Sequence, residues 1–337
     1  MANFNTVGDL AQTFLIRQQN VQLKTDLQRL SLELSTGQKA DIASSLSGDY
    51  SPVASIERSL TSLSSFQTAN AEAGLFASTM QAALGNLQSL AIEVAPNLLT
   101  ASDAGQAEFV EPATGEAKQK FIAAVAVLNT QIAGRSVFSG MATDRTALAQ
   151  PDAILAELQT AIAAETTSAG VITVIDAWFD TLGGGFETNA YNGSANALAP
   201  FNVGPFESSK LEIKADDQAL RDTLKGLAVA SLVYDGALAG DPDEKSALVK
   251  SSAEILLSAE SGLAGLRAKV GSTEAQIEQA SVRNGSEKAA LEIARAELLG
   301  VDSYETATKL EATRTQLETL YTITARLSRL SLADFLR

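Results

Sequence analysis

The chain has 337 residues, with 25 basic and 40 acidic side chains for a formal net charge of −15, and it contains no cysteine and no histidine. Without these two residue types, disulfide frameworks, cysteine or Ser-His-Asp catalysis, thiolate or imidazole zinc sites and thiolate iron–sulfur clusters are excluded. Nucleic acid and anionic lipid repel an acidic chain, and no run of Lys or Arg offers a basic patch, so neither is expected as a partner.

The composition favours long helices. Ala, Leu, Val and Ile dominate an apolar fraction of 45%, whereas aromatic residues make up only 5%. The seven prolines lie between positions 52 and 242, so both ends of the chain can form unbroken helices. The first 20 residues lack a basic segment followed by a continuous apolar run, so we expect no cleavable secretory signal. The uncharged run between Glu72 and Glu93 is too polar for a membrane span.

The first predicted element is an N-terminal helix with an apolar stripe. Its members recur three and four residues apart on either side of a polar break at 17–20: Val7, Leu10, Phe14, Leu23, Leu27, Leu30 and Leu34. This spacing is typical of a helix that packs against another helix. A second helix is predicted to begin near Pro52 and to end before Pro96.

The middle of the chain has a different character. Between Pro151 and Pro242 lie β-branched runs, a triple glycine and a cluster of aromatic residues. We predict a small mixed α/β insert with strands at Val171–Ile175 and Lys210–Lys214 and a helix near 216–238. The triple glycine is interpreted as a loop or tight turn, because no phosphate-loop pattern follows it.

Carboxylates in this insert are the candidates for an enzymatic function, which is the alternative from a different class. They are Asp176, Asp180, Glu187, Asp216 and Asp217. Asp216 and Asp217 are more simply explained as a helix N-cap pair. We therefore predict no catalytic residue, no cofactor and no metal ion.

The C-terminal third is predicted to be helical from about 243 to 284 and again near the end. Asp241 is expected to cap the first of these helices, with Pro242 at its first position. A calcium loop is the alternative, but it would need more oxygen ligands and a glycine turn. The last helix carries a second apolar stripe, which consists of Leu310, Leu317, Leu320, Ile323, Leu327 and Leu330.

Together these elements predict a mainly α fold in which long N- and C-terminal helices pair as a coiled coil or helical bundle around a small mixed insert. We divide the chain into a terminal coiled-coil region (1–40 with 301–337), a helical shell (41–141 with 243–300) and the insert (142–242). The net charge is +1 over 1–40, 0 over 301–337 and −16 between them. Periodicity alone leaves open whether the two stripes complete an intramolecular core or mediate self-assembly.

Four motifs, in the same order along the chain, resemble the flagellin family. They are LSTGQK at 34–39, NTQIAGRSVFSG at 129–140, LRAKVGSTE at 266–274 and the closing helix at 306–336. The motif residues that we single out are Gly37, Gly134, Arg135, Phe138, Gly140, Arg267 and Gly271. We interpret Gly37, Gly134 and Gly140 as backbone turns, and Arg135 as a side chain that forms a salt bridge or binds a carbonyl between shells of the assembly. The segment 42–55 departs from the Asp-rich stretch of the family.

The resemblance implies a structural, non-enzymatic component of the bacterial flagellum. Within the family, the sequence is more similar to the hook-associated proteins of the hook–filament junction than to filament flagellin. It implies unfolded export through the flagellar type III channel, with a chaperone on the C-terminal helix, and an extracellular location. The implied partners are further copies of the chain in a ring, another hook-associated protein and flagellin. The terminal stripes are expected to be disordered in the monomer and to order on a neighbour.

Overall fold

A computed structural model describes residues 7–104 and 107–335, with side chains for 11–103 and 108–326. The helices are α1 (Val7–Thr36), α2 (Ile42–Ser45), α3 (Ser51–Ala104), α4 (Ala107–Leu128), α5 (Pro151–Ile162), α6 (Ser168–Asp180), α7 (Gln218–Tyr234), α8 (Pro242–Leu299) and α9 (Ser303–Phe335). Two antiparallel hairpins pair β1 (Gln131–Ile132) with β2 (Arg135–Ser136) and β3 (Phe201–Gly204) with β4 (Glu207–Ser209). The predicted mainly α fold with a small mixed insert is confirmed.

The chain forms two compact units, residues 1–63 with 286–337 and residues 64–285. In the first unit, α1 packs against α9, so the predicted pairing of the terminal helices is confirmed. Leu30 of α1 and Leu320 of α9 are buried. The ammonium of Lys24 lies 6.0 Å from the centre of the Tyr321 ring, which is within the range of a cation–π contact.

The second unit has an extensive hydrophobic core to which α3 to α8 all contribute. Its largest fully buried side chains include Phe76, Phe121, Phe138, Phe179 and Phe186. Helix α7 approaches α8 closely at Gly226, where an added Cβ would lie 2.7 Å from Cγ of Leu256. Glycine at this position therefore sets the distance between the two helices.

Both predicted strands of the insert are wrong. Val171–Ile175 lies within α6, which buries Val171, Ile175 and Phe179. Their four-residue spacing follows one face of a helix, and this burial outweighs the strand preference of the β-branched residues. Lys210–Lys214 has no regular structure and follows β4, whereas the helix predicted near 216–238 is confirmed as α7.

Two helices also continue past their predicted ends. Helix α3 runs through Pro96 to Ala104, so its predicted end before that proline is wrong. Proline removes one backbone hydrogen bond, but Val94, Ala95 and Leu98 are buried around it and hold the helix in place. Helix α8 continues to Leu299, beyond the predicted end near 284.

The predicted cap of α8 is confirmed. The Asp241 carboxylate accepts hydrogen bonds from the backbone N–H groups of Asp243 (3.0 Å) and Glu244 (3.2 Å). These N–H groups have no partner within the helix, so the cap satisfies them and places negative charge at the positive end of the helix dipole.

Candidate assembly surface and motif turns

Helix α1 carries two apolar stripes on different faces. The single N-terminal stripe predicted from the sequence contains residues of both. Nine residues separate Phe14 from Leu23, which is about two and a half helical turns and places them on opposite sides of the helix. Leu23 and Leu27 are half-buried with the buried Leu30, whereas Phe14 is 68% exposed. Leu34 is exposed, and the side chains of Val7 and Leu10 lie outside the described residues.

Phe14 belongs to a second stripe that sequence periodicity did not separate from the first. Val21 and Leu32 follow it at spacings of seven and eleven residues, which return to the same face of a helix. All three side chains are exposed. Their alignment on one face makes this stripe the candidate assembly surface of α1.

The stripe on α9 contains threonines that the sequence analysis missed. Leu310 and Leu317 are half-buried and Leu320 is buried, and they alternate with the buried Thr306 and the half-buried Thr313. The Thr313 hydroxyl donates to the carbonyl of Lys309 at 2.8 Å, which leaves its methyl group free to pack. The unbroken three–four spacing of these five positions was the signal that would have found them.

The remaining predicted members of this stripe are placed differently. Ile323 is exposed in the described structure. The side chains of Leu327 and Leu330 lie outside the described residues. Whether these three residues and Phe14 contact other subunits stays a prediction.

The motif at 34–39 ends α1 in a turn that is hydrogen-bonded to the C-terminal end of α8. Gly37 has a φ of +69°, a left-handed conformation that glycine adopts without strain. The backbone N–H of Lys39 donates to the carbonyl of Leu299 (2.8 Å), and that of Val301 donates to the carbonyl of Gly37 (3.1 Å). The Lys39 ammonium also donates to the carbonyl of Leu298 (3.2 Å), where a cation stabilises the C-terminal end of α8.

Glu33 supports this turn from inside the first unit. Its side chain is buried, and its carboxylate accepts hydrogen bonds from the backbone N–H of Ala40 (3.1 Å) and from the guanidinium of Arg29 (3.2 Å). A buried carboxylate needs such partners to offset its loss of hydration. The bonds of Glu33 to Ala40 and Arg29 therefore fix the path of the chain as it leaves α1.

The motif at 129–140 forms the hairpin of β1 and β2 and the turn that follows it. Ala133 and Gly134 have φ values of +50° and +77°, which is the pattern of a type I′ hairpin turn. Phe138 is fully buried in the core of the second unit. Gly140 has a φ of +61°, and an added Cβ would lie only 2.3 Å from the carbonyl oxygen of Asn196. The glycine turns predicted at Gly134 and Gly140 are present.

Arg135 connects the hairpin to α3. Its guanidinium forms an ion pair with Glu72 and lies 4.9 Å from the centre of the Phe76 ring. The side chain therefore makes a salt bridge and a cation–π contact within the second unit. A contact of Arg135 between shells of an assembly stays a prediction.

Arg267 and Gly271 of the third motif are not at a turn. Both lie in the interior of α8. The Arg267 guanidinium donates to the side-chain oxygen of Gln88 on α3 at 2.6 Å. At Gly271 an added Cβ would meet no atom within 4 Å. The motif is thus a helix–helix contact through Arg267, and the structure gives no steric reason for glycine at 271.

The insert carboxylates have structural partners. Asp176 and Asp180 form ion pairs with Lys225, and Asp216 forms one with Lys214 (2.8 Å). Glu187 accepts a hydrogen bond from the backbone N–H of Gly183 at 2.8 Å. The described residues contain no group of three or more carboxylates that could hold a metal ion.

Asp217 lies at the N-cap position of α7, but its side chain does not cap that helix. Its carboxylate instead accepts a hydrogen bond from the backbone N–H of Lys214 at 2.9 Å. Burial raises the pKa of Asp217, and the nearby Asp216 adds to this effect. The predicted N-cap pair is therefore wrong: Asp217 occupies the cap position without capping through its side chain, and Asp216 is ion-paired with Lys214.

Comparisons with known proteins show a family resemblance for the C-terminal part of the chain. Residues 254–336 match the model of the bacterial flagellin C-terminal helical region, so the resemblance to the flagellin family is confirmed for this part of the chain. No curated protein sequence matches the chain. Among the described residues, no helix is long and apolar enough to cross a membrane.

The fold is similar to that of hook-associated proteins. It matches the crystal structure of FlgL from Bacillus cereus with a TM-score of 0.52 and 16% identity, over 72% of this chain and 100% of that one. It also matches a Vibrio parahaemolyticus structure described as a flagellar hook-associated protein, with a TM-score of 0.51 and 13% identity, over 72% of this chain and 94% of that one. At these identities the likeness establishes the fold.

Gly140→Ala should destabilise the second unit strongly. The substitution combines a left-handed backbone, which costs about 1–2 kcal/mol for a residue with a Cβ, with a collision against the Asn196 carbonyl. Gly134→Ala is the matched control, because its φ is also positive but no atom lies within 4 Å of the added Cβ. Thermal denaturation should show a clearly lower Tm for Gly140→Ala than for Gly134→Ala. Equal Tm values would contradict the close contact.

Lys225→Met should destabilise the second unit and reduce its sensitivity to alkaline pH. The Lys225 side chain is 6% exposed, and its ammonium bonds Asp176 (2.9 Å) and Asp180. Burial lowers the pKa of Lys225, but the bonds to these carboxylates outweigh that effect and raise it above 10.5. The stabilisation is therefore complete below pH 10.5 and is lost as the pH rises through the higher folded-state pKa.

The loss of a charge-assisted hydrogen bond of this kind lowers the free energy of unfolding by about 1.5–3 kcal/mol. Because the carboxylates are partly exposed, we expect a loss at the lower end of this range. Chemical denaturation of the wild type and of Lys225→Met at neutral pH and near pH 11 would measure the difference. A variant as stable as the wild type at neutral pH would show that these ion pairs contribute nothing.

Proposed function

We propose that this chain is a structural subunit of the bacterial flagellum, located at the junction between hook and filament, and that it assembles through its terminal helices. The observation that carries the proposal is the pairing of α1 with α9, which leaves the second apolar stripe of α1 exposed. The flagellin C-terminal region at 254–336 and the hook-associated fold support it. The chain is structural and not an enzyme.

The proposal extends to the route and the partners. The chain leaves the cell unfolded through the flagellar export channel, and an export chaperone holds its C-terminal helix. It then forms an extracellular ring that contacts another hook-associated protein and flagellin. The absence of cysteine from the sequence supports this route, because no disulfide has to form or be reduced during passage.

We also propose the role of each region in the assembled flagellum. The segments 1–40 and 301–337 form the densely packed assembly region, 41–141 and 243–300 form the surrounding shell, and 142–242 faces outward. The charge distribution supports this division, because the terminal segments carry +1 and 0 whereas the intervening segment carries −16. Close contact between many copies disfavours like charge, and an outer surface gains solubility from it.

The first unit buries too little apolar surface to order its terminal helices fully by itself. Its buried apolar side chains, within the described residues, are Leu30, Leu60, Leu63, Leu299 and Leu320. Burial of one Leu contributes about 1.5–3 kcal/mol, whereas ordering costs about 1–2 kcal/mol for each residue of the backbone. Neighbouring subunits therefore supply the contacts that order α1 and α9.

Amide hydrogen exchange should distinguish the terminal helices from the core helices. In the dilute monomer we expect rapid exchange over residues 11–36 and 303–326 and strong protection over 73–98, where α3 lies in the core. On assembly the terminal segments should become protected. Strong protection of both terminal segments in the monomer would disprove their dependence on neighbours.

Deletion of the gene should leave cells with hooks but without attached filaments, as seen by electron microscopy, and the wild-type gene should restore filaments. Phe14→Asp should fail to restore them, because it places a charge in the exposed stripe of α1. Gln22→Asp is the matched control, since Gln22 is exposed about 80° around the helix from Phe14 and about 100° from the half-buried Leu23.

Filament flagellin is the alternative function. The match of residues 254–336 to the flagellin C-terminal region supports it. Purified protein that propagates into long filaments on its own would support flagellin. Association that stops at a short ring would support the junction protein. Deletion cells with complete, attached filaments would contradict the junction proposal.

A further inference from the structure

Two Asn-Gly pairs occur in the chain, at 192–193 and at 284–285, and the fold places them in different environments. An asparagine that precedes glycine is open to deamidation, because no side chain on the glycine blocks its backbone nitrogen from reaching the asparagine side chain. The reaction requires an accessible asparagine side chain and a glycine N–H that no other group holds. The two pairs differ in both respects.

The pair Asn192-Gly193 meets both requirements. Asn192 is exposed in an irregular segment of the second unit, and its side chain forms no hydrogen bond with a described residue. The backbone N–H of Gly193 likewise has no acceptor among the described residues. The attacking nitrogen and the side-chain amide that it attacks are therefore adjacent, and neither is held by another bond.

The pair Asn284-Gly285 is protected by the fold. Asn284 is 3% exposed, and its amide donates to the carbonyl of Val203 at 2.7 Å. Gly285 lies in the interior of α8, where the helix bonds its N–H to the carbonyl four residues earlier and fixes its backbone. Reaction at this pair requires local unfolding of α8. The second pair is therefore an internal reference for the first.

Packing explains why glycine follows Asn192. An added Cβ at Gly193 would lie 2.3 Å from the hydroxyl oxygen of Tyr191. That hydroxyl donates to the carbonyl of Ser194 at 3.0 Å, which holds the ring in place. A larger residue at 193 would displace the ring, so the reactive pair is tested by substitution of Asn192.

Backbone hydrogen bonds hold the chain on both sides of this pair. The N–H of Asn192 donates to the carbonyl of Ala147 at 2.9 Å. The N–H of Ser194 donates to the carbonyl of Ser139, which belongs to the motif at 129–140, also at 2.9 Å. The two bonds can form together only while the backbone between residues 192 and 194 keeps its length.

We propose that Asn192 deamidates spontaneously in the folded chain and that the product loosens this segment from the motif at 129–140. The backbone nitrogen of Gly193 loses its proton to solvent base and attacks Cγ of Asn192. The N–Cγ bond forms, the Cγ–Nδ2 bond breaks, and the side-chain nitrogen leaves as ammonia after taking a proton from water. Water then opens the cyclic imide, at Cγ to give aspartate or at the main-chain carbonyl to give isoaspartate.

The isoaspartate product changes the backbone as well as the charge. Its main chain passes through Cβ and Cγ and is longer by one carbon–carbon bond of about 1.5 Å. The hydrogen bonds of Asn192 and Ser194 cannot both keep their geometry across the longer link. The aspartate product adds the same charge at an exposed position and leaves the backbone unchanged, so its effect on stability is small.

The site is tested by incubation of the full-length chain at mildly alkaline pH, followed by peptide mapping with mass spectrometry. In the native chain, deamidation at Asn192 should be about tenfold or more faster than at Asn284, because Asn284 reacts only when α8 opens. In urea the two sites should react at similar rates. No product at Asn192 in the native chain, or equal rates at the two sites there, would overturn the assignment.

Thermal denaturation before and after incubation measures the effect on the fold. The incubated wild type should lose Tm in proportion to its isoaspartate content, which is measured against synthetic peptide standards. Asn192→Gln should keep its Tm, because glutamine has to form a larger ring and reacts far more slowly. Fresh Asn192→Asp should have nearly the Tm of the fresh wild type.

Three outcomes would contradict the loosening of the segment. They are an unchanged Tm in a wild type rich in isoaspartate, an equal loss of Tm in incubated Asn192→Gln, and a fresh Asn192→Asp variant as unstable as the incubated wild type. The results do not depend on the proposed flagellar role, since both measurements use the purified chain.

Discussion

The packing of α1 against α9 is the interaction on which the organisation of this protein depends. It brings together segments that are almost 300 residues apart in the 337-residue chain, and the backbone bonds of Gly37 and Lys39 fix them at one end. The pairing buries one stripe of α1 and thereby leaves the other without a partner within the described residues of the first unit. A helix pair of this kind is an incomplete core, and the proposed assembly rests on its completion by neighbouring copies.

The second unit differs because it has an extensive hydrophobic core. Its core includes residues of helices α3 and α8 and of the central insert, so the insert is packed on the helices that precede and follow it. Polar groups inside this unit are mostly paired, as the backbone contacts of Asn129 and Asn284 show. Asn70 differs from them, because its buried amide has no partner among the described residues.

In two elements, burial in the core overrode the secondary structure that the local sequence favours. The β-branched run at Val171–Ile175 has a strand composition, yet it folds as part of α6 because its apolar residues lie four apart and the core lies on one side. Pro96 is a strong local stop signal, yet α3 continues through it because the flanking residues are buried. In both cases the free energy of burial exceeded a local preference of about 1 kcal/mol for the strand or about 3 kcal/mol against proline in a helix.

The sequence by itself determined the helical class, the Asp241 cap, the glycine turns at 37, 134 and 140 and the neutral ends around an acidic middle, because each depends on nearby residues or on composition. Only the tertiary structure decided which stripe of α1 is buried, that Thr306 and Thr313 belong to the stripe of α9, that Arg135 pairs with Glu72, and that Asn70 has no partner among the described residues. Periodicity fixes the angle between side chains on one helix. The face that becomes buried is chosen by the partner helix, which lies far away in the sequence.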